Sequence, residues 1–197
     1  MNRSETIQVW DPLVRLFHWT LVLAFSIAFI TEDDYLRLHS IAGYSVIGLL
    51  AFRLLWGLCG PRYARFKDFV YSPAHIMKYL KHVVRSKSPR YLGHNPAGGT
   101  MIILLLVALA LTTVTGLAVY AAGDNAGPLA AWLGHAGEGW AETFEALHEF
   151  FANFTVLLVV VHISGVLFES LLHRENLIVA MFTGNKVIKL KNQRGVS

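Results

Sequence analysis

Four stretches of the chain are predominantly apolar: Leu13–Ile30, Ile41–Leu58, Met101–Ala122 and Phe150–Leu172. A helix needs roughly 20 such residues to cross a bilayer core, and each stretch is close to that length. Polar signals frame them. Asp11-Pro12 places a capping residue and a first-turn proline ahead of the first stretch. Asp33, Asp34 and Leu38 lead into the second, which Gly57, Gly60 and Pro61 close, and the third has no charge. A helical pattern from about Thr143 extends the fourth. The spans so predicted cover about 12–31, 35–58, 97–122 and 143–173. The short acidic connection Thr31–Leu36 makes the first two an antiparallel hairpin. Between spans two and three, Ser72-Pro73 opens a further helix. There Ile76, Met77, Leu80, Val83 and Val84 share a face opposite Lys78, Lys81 and Arg85, the pattern of an amphipathic helix at a membrane surface. The expected fold is all-α: an integral membrane four-helix bundle over residues 1–186, followed by a basic tail, 187–197. No internal repeat or low-complexity segment is present.

Composition agrees. Of 197 residues, 54% are hydrophobic and 15% charged, with a mean hydropathy of +0.47. Soluble domains carry about 25% charged residues, so a disordered chain and a water-soluble enzyme are both excluded. The one cysteine, Cys59, excludes an internal disulfide, a cysteine-rich zinc or iron–sulfur site, and Cys-x-x-Cys-His haem attachment. The first span lacks a small-residue cleavage site, and His18-Trp19 interrupts its apolar run, so it is read as retained rather than as a signal peptide. The net charge is +4. With four spans, the basic residues gather on one side. Arg3 and Arg15, then Arg62, Arg65, Lys67, Lys78, Lys81, Arg85, Lys87 and Arg90, then Arg174, Lys186, Lys189, Lys191 and Arg194 all fall there. The opposite loops offer Arg37 beside Glu32, Asp33, Asp34, Asp124, Glu138, Glu142 and Glu145. Positive charge stays inside, so both termini are expected in the cytoplasm. Orientation and lipid contact account for the basic charge without nucleic acid.

Ionisable groups inside membrane spans point to function. Four of the nine histidines belong to spans: His18, His39, His148 and His162. His148 and His162 are 14 residues apart, which on a helix returns to within roughly 40° of the same face at a separation of about 21 Å. Topology puts His18 at the depth of His162, near the cytoplasmic surface, and His39 at the depth of His148, near the outer one. Imidazoles paired across a bundle suit haem iron with both axial positions filled, which favours electron transfer over oxygen binding. Two such haems would conduct electrons through the bilayer. Gly43, Gly116 and Gly165 leave room for porphyrin faces or for close helix packing. Arg15 and Arg53 stand where they could meet haem propionates or snorkel to the interface. His75, His82, His94, His135 and His173 are expected to be solvated. Glu169 is the only acid deep in a span.

Several segments together resemble the prokaryotic cytochrome b561 family, which includes the cytochrome b subunits of nickel–iron hydrogenases. They are Val9-Trp10-Asp11-Pro12-Leu13-Val14-Arg15-Leu16-Phe17-His18-Trp19, Leu38-His39 with Gly43-Tyr44, Phe52-Arg53-Leu54-Leu55-Trp56-Gly57, and His148 with His162. The resemblance extends over roughly residues 7–186. It implies that the four matching histidines bind two non-covalent b-type haems and that the protein exchanges electrons between quinone and a redox partner. It also implies that Asn95 and Gly98, in Gly93-His94-Asn95-Pro96-Ala97-Gly98-Gly99, belong to a quinone site beside the inner haem. A helix-entry turn is the competing explanation of that segment.

The expected function is electron transfer across the bacterial inner membrane between the quinone pool and a periplasmic c-type cytochrome or hydrogenase small subunit. Two alternatives stay open: a stand-alone superoxide:quinone oxidoreductase, and a membrane anchor for a redox complex. The acidic outer residues Glu138, Glu142, Glu145 and Glu149 weigh against an anionic substrate. Metal transport expects more intramembrane carboxylates than Glu169 supplies. No hydrolase, kinase or phosphate-loop motif is present.

Overall fold

The computed structural model describes residues 4–32, 35–85 and 89–189. Asp33, Asp34, Arg3, Lys87, Lys191 and Arg194, part of the charge pattern above, lie outside them. Among the described residues, seven helices and one strand pair run in the order β1 (Ser4–Gln8), α1 (Pro12–Ile30), α2 (Leu36–Cys59), α3 (Pro73–Val84), α4 (Pro96–Asp124), α5 (Ala130–Leu133), α6 (Glu138–His173), α7 (Leu177–Thr183) and β2 (Asn185–Lys189). Two short 3-10 turns, Arg62–Ala64 and Phe66–Asp68, precede α3.

Helices α1, α2, α4 and α6 are long and apolar enough to cross a membrane. Their starts follow the capping chemistry of the sequence. Asp11 accepts hydrogen bonds from the amides of Leu13 and Val14, Ser72 caps α3, and Asn95 accepts from the Gly98 amide at 2.7 Å to open α4. At its far end α4 stops on Asn125, whose φ of 50° is left-handed. Helix α6 begins at Glu138, earlier than the pattern suggested, because its first turns are polar and solvated. Its 36 residues make a rod of about 54 Å, well beyond a bilayer core of about 30 Å.

Ala24, Val46, Leu50 and Leu109 join α1, α2 and α4 in mid-bundle. Helices α4 and α6 meet where Thr112 and Thr155 face one another, Oγ1 to Oγ1 at 3.3 Å, each hydroxyl also donating to a carbonyl on its own helix. Apolar side chains such as Leu16, Leu23, Leu55 and Val114 point outward and are exposed. That is the surface a helix bundle presents to lipid.

The strand pair was not anticipated in an all-α reading. β1 and β2 are antiparallel, Ser4 opposite Lys189 and Gln8 opposite Asn185, so residues 187–189 belong to a strand rather than a free tail. Gly184, at a φ of +85°, turns α7 into β2, and its carbonyl accepts from the amides of Val9 and Trp10. Both terminal segments therefore sit at one end of the bundle, the ribbon end. The α1–α2 turn, α5 and the start of α6 form the hairpin end.

Candidate functional site

At the hairpin end, His39 on α2 and His148 on α6 bring their rings to a centroid distance of 6.0 Å with planes at 84°. Nδ1 of His39 lies 2.9 Å from the Ala28 carbonyl, and Nδ1 of His148 lies 2.9 Å from the Thr112 carbonyl. A carbonyl only accepts, so each Nδ1 carries the proton and each Nε2 keeps its lone pair for a metal. The rings border a cavity of about 520 Å³ between α1, α2, α4 and α6, which Gly43 and Gly116 also line. That volume lies within the range of cofactor clefts, about 300–1,000 Å³. A Cβ on Gly43 would meet nothing within 4 Å, whereas one on Gly116 would stand 2.8 Å from Cε1 of His148. The rim is acidic, with Glu32, Asp124, Glu145 and Glu149 among the lining residues.

Toward the ribbon end, His18 on α1 and His162 on α6 are near enough to interact electrostatically. His18 packs edge-on against Trp19 at 5.0 Å, and its Nδ1 is buried without a hydrogen-bond partner. The structure thus brings His39 and His148 together and leaves His162 within electrostatic reach of both His18 and His94. Along α6, His148, Thr155 and His162 recur every seven residues, on one face.

The other expected site residues have structural engagements of their own. Nη1 of Arg15 donates to the Phe182 carbonyl, while its Nε is buried unpartnered. Nη1 of Arg53 donates to the Ala64 carbonyl at 3.0 Å, with the guanidinium over the rings of Phe66 and Phe69. Asn95 and Gly98 do meet, but through the helix cap: the Gly98 amide goes to Asn95 Oδ1 and the Gly99 amide to the Asn95 carbonyl. Gly99 is required because a Cβ there would stand 2.2 Å from the Phe69 carbonyl oxygen. The amides of Gly98 and Gly99 are therefore already bonded, and the Asn95 carboxamide nitrogen and the unpartnered Nδ1 of His94 are side-chain groups left to the segment.

Two histidines depart from expectation. His94 is not solvated: its ring packs between Trp10 at 4.5 Å and Phe69 at 4.8 Å. Burial, then the positive charges of Arg53 and Lys186, hold its pKa down at about 3, so it is neutral at physiological pH. His173 is also largely buried and stands 3.1 Å from Glu169. Lys186 in β2 is buried against Trp10, and its pKa is lowered by desolvation, against which Glu175 acts. The sequence carried no periodic signal for His94, whose surroundings come from segments far apart in the chain.

The donor geometry can be tested against haem. The His39 and His148 rings stand 6.0 Å apart, each with its Nδ1 on a carbonyl and its Nε2 left free by that bond, a donor pair that would suit haem iron. Among the described residues no three His, Cys, Asp or Glu side chains converge as a metal centre. The donors come in twos, the number that six-coordinate haem iron takes from a protein.

A membrane bundle with two interior histidines meeting beside a cofactor-sized cleft has the architecture of an electron-transferring cytochrome b. Residues 9–184 match the family described as prokaryotic cytochrome b561, and the chain belongs to that family. Membership makes it a membrane protein that binds b-type haem and transfers electrons. It is 24% identical to a probable Ni/Fe-hydrogenase B-type cytochrome subunit of Rhodobacter capsulatus, over 96% of this chain and 84% of that protein. The similarly described protein of Azotobacter vinelandii is 28% identical over 96% of this chain and 92% of its own length. That of Bradyrhizobium diazoefficiens is 27% identical over 92% and 86%. No solved structure matches.

Proposed function

We propose that this chain is a di-haem cytochrome b of the bacterial inner membrane, carrying electrons between the quinone pool and a periplasmic redox partner. The observation that supports this most is the His39–His148 pair, with both Nδ1 protons anchored on carbonyls and a cleft beside the free Nε2 atoms. In this reading the positive-inside rule assigns the ribbon end, with both termini, to the cytoplasm. Helix α3 then lies along the inner surface, its exposed Met77, Leu80 and Val84 toward lipid.

Bound haem supplies a one-electron iron couple. The rest is the work of this chain. His18 and His162 hold the inner haem, and His39 and His148 the outer. The carbonyls of Ala28 and Thr112 keep the outer imidazoles in the ligating tautomer. Gly116 leaves the His148 ring its place, and Gly43 leaves space in the cleft. Arg15 and Arg53 are the cations available to inner propionates, Arg15 through its unpartnered Nε. Asn95, through its carboxamide nitrogen, and Gly98 stand at the quinone-reactive loop.

The relatives are described as hydrogenase subunits, and a hydrogenase small subunit or a c-type cytochrome is the partner proposed here. The acidic rim of Glu32, Asp124, Glu145 and Glu149 favours a basic patch on that partner and repels superoxide. The test uses the holoprotein in sealed vesicles, with a quinol on the ribbon side and a membrane-impermeant one-electron acceptor on the hairpin side. Acceptor reduction that is lost in His39→Ala supports the proposal. Reduction unaffected by that substitution, or none in the wild type, contradicts it.

A further inference from the structure

The heptad that carries His148, Thr155 and His162 has one more member. Glu169 follows His162 by seven residues, on the same face of α6 and about 10.5 Å nearer the ribbon end. It is mostly buried, yet its carboxylate has two protonatable partners. Oε1 accepts the Tyr79 hydroxyl at 2.7 Å, and Oε2 stands 3.1 Å from Nε2 of His173. Tyr79 is buried on the face of α3 turned toward α6, and its ring meets that of Tyr91 at 5.7 Å. The Tyr91 hydroxyl lies 3.4 Å from Nε2 of His75, which is solvent-exposed. Lys186 of β2 is within electrostatic reach of Glu169, Glu175 and Arg90, and His94 is within reach of Lys186. The ribbon end thus sets a buried hydroxyl and an imidazole against the Glu169 carboxylate, on the α6 stripe that carries His162. Electron transfer between haems requires no such cluster. Quinone chemistry does, because a quinone becomes a quinol only when two protons join the two electrons.

We propose that Glu169, with Tyr79 and His173, relays protons between the cytoplasm and the quinone-reactive end of the bundle. The inference rests on the quinone reading above. In quinol formation, two electrons arrive from the membrane haem and two protons from cytoplasmic water. Each proton is accepted by the Glu169 carboxylate, passed toward the quinone oxygen, and replaced from water through His173 or Tyr79. Quinol oxidation runs the same steps in reverse. Glu169 is a positioning residue for protons here, not a haem ligand.

The test follows haem oxidation by a short-chain water-soluble quinone, and haem reduction by its quinol, across a pH series with full-length holoprotein. Glu169→Gln preserves an acceptor for Tyr79 but cannot carry a proton. It is expected to slow both reactions on the order of 100-fold and flatten their pH profile, with haem content and spectrum unchanged. Glu169→Asp is expected to recover part of the rate, and Tyr79→Phe to lose a smaller part. Wild-type rates and pH profile in Glu169→Gln overturn the relay alone. A wild-type holoprotein that exchanges no electrons with quinone removes the quinone reading, and the relay with it. Should Glu169→Gln fail to assemble, redox-induced infrared difference spectra of the wild type and Tyr79→Phe decide. A carboxyl band that changes with quinone turnover and shifts in Tyr79→Phe supports the relay, and its absence overturns it.

Discussion

Gly116→Ala is the smallest change that should unseat one haem and spare the other. The added Cβ would stand 2.8 Å from Cε1 and 3.2 Å from Nδ1 of His148, against an ordinary contact distance of 3.4 Å or more. The imidazole must therefore retreat by about 0.6 Å, which stretches its 2.9 Å bond to the Thr112 carbonyl toward the limit of hydrogen bonding near 3.5 Å. Helix α4 cannot absorb the strain, because Thr112 is buried against Thr155 of α6. Losing the orienting carbonyl of a ligating histidine lowers metal affinity about 10–100-fold, or about 1.4–2.8 kcal/mol. The assay is haem titration of the purified variant, followed by low-temperature difference spectroscopy. One site should keep wild-type affinity and the other weaken by that factor. Two equivalents bound at wild-type affinity would refute the idea that the observed His148 position is the ligating one.

Other substitutions probe neighbouring claims. Gly43→Leu places a side chain in the cleft where a Cβ meets nothing within 4 Å, so outer haem should be lost while the fold, followed by circular dichroism, persists. Asn95→Ala removes the α4 cap and should lower stability by about 0.5–2 kcal/mol in thermal unfolding. Asn95→Asp keeps the cap, so if the carboxamide nitrogen donates to quinone this variant stays stable yet loses quinone-linked haem oxidation. His94, with a pKa near 3 when folded and about 6.5 when unfolded, binds more protons unfolded than folded between those values. Stability should therefore rise with pH across that window and fall on acidification, and His94→Phe should flatten this part of the pH dependence of thermal unfolding.

The parts of this protein that could be read from its sequence are those governed by local rules. Asp11-Pro12 and Ser72-Pro73 announced helix starts because capping is settled within four residues. The His148–His162 stripe followed from helical period alone. That His39 and His148 stand at one level was expected from counting spans, since depth in a bilayer is a strong constraint, and their rings do meet. The β1–β2 ribbon escaped because five-residue strands more than 170 positions apart leave no periodic trace. The settings of His94 and Lys186 escaped with it, since Trp10, Phe69 and β2 converge only in three dimensions. Glu169 was visible as an acid within a span. Its meaning depended on Tyr79, which the amphipathic pattern of α3 gave no reason to single out. Asn95 carried two readings in the sequence, a quinone contact and a helix-entry turn, and the structure shows the second: it caps α4.

The measurement that bears most directly on the central claim is haem per chain, with reduced-minus-oxidised spectra, for the wild type and four single variants. The account predicts two non-covalent haems in the wild type. His18→Ala and His162→Ala should each lose the same one, leaving identical residual spectra, and His39→Ala and His148→Ala should each lose the other. One haem in the wild type, or losses that pair the histidines differently, would contradict it.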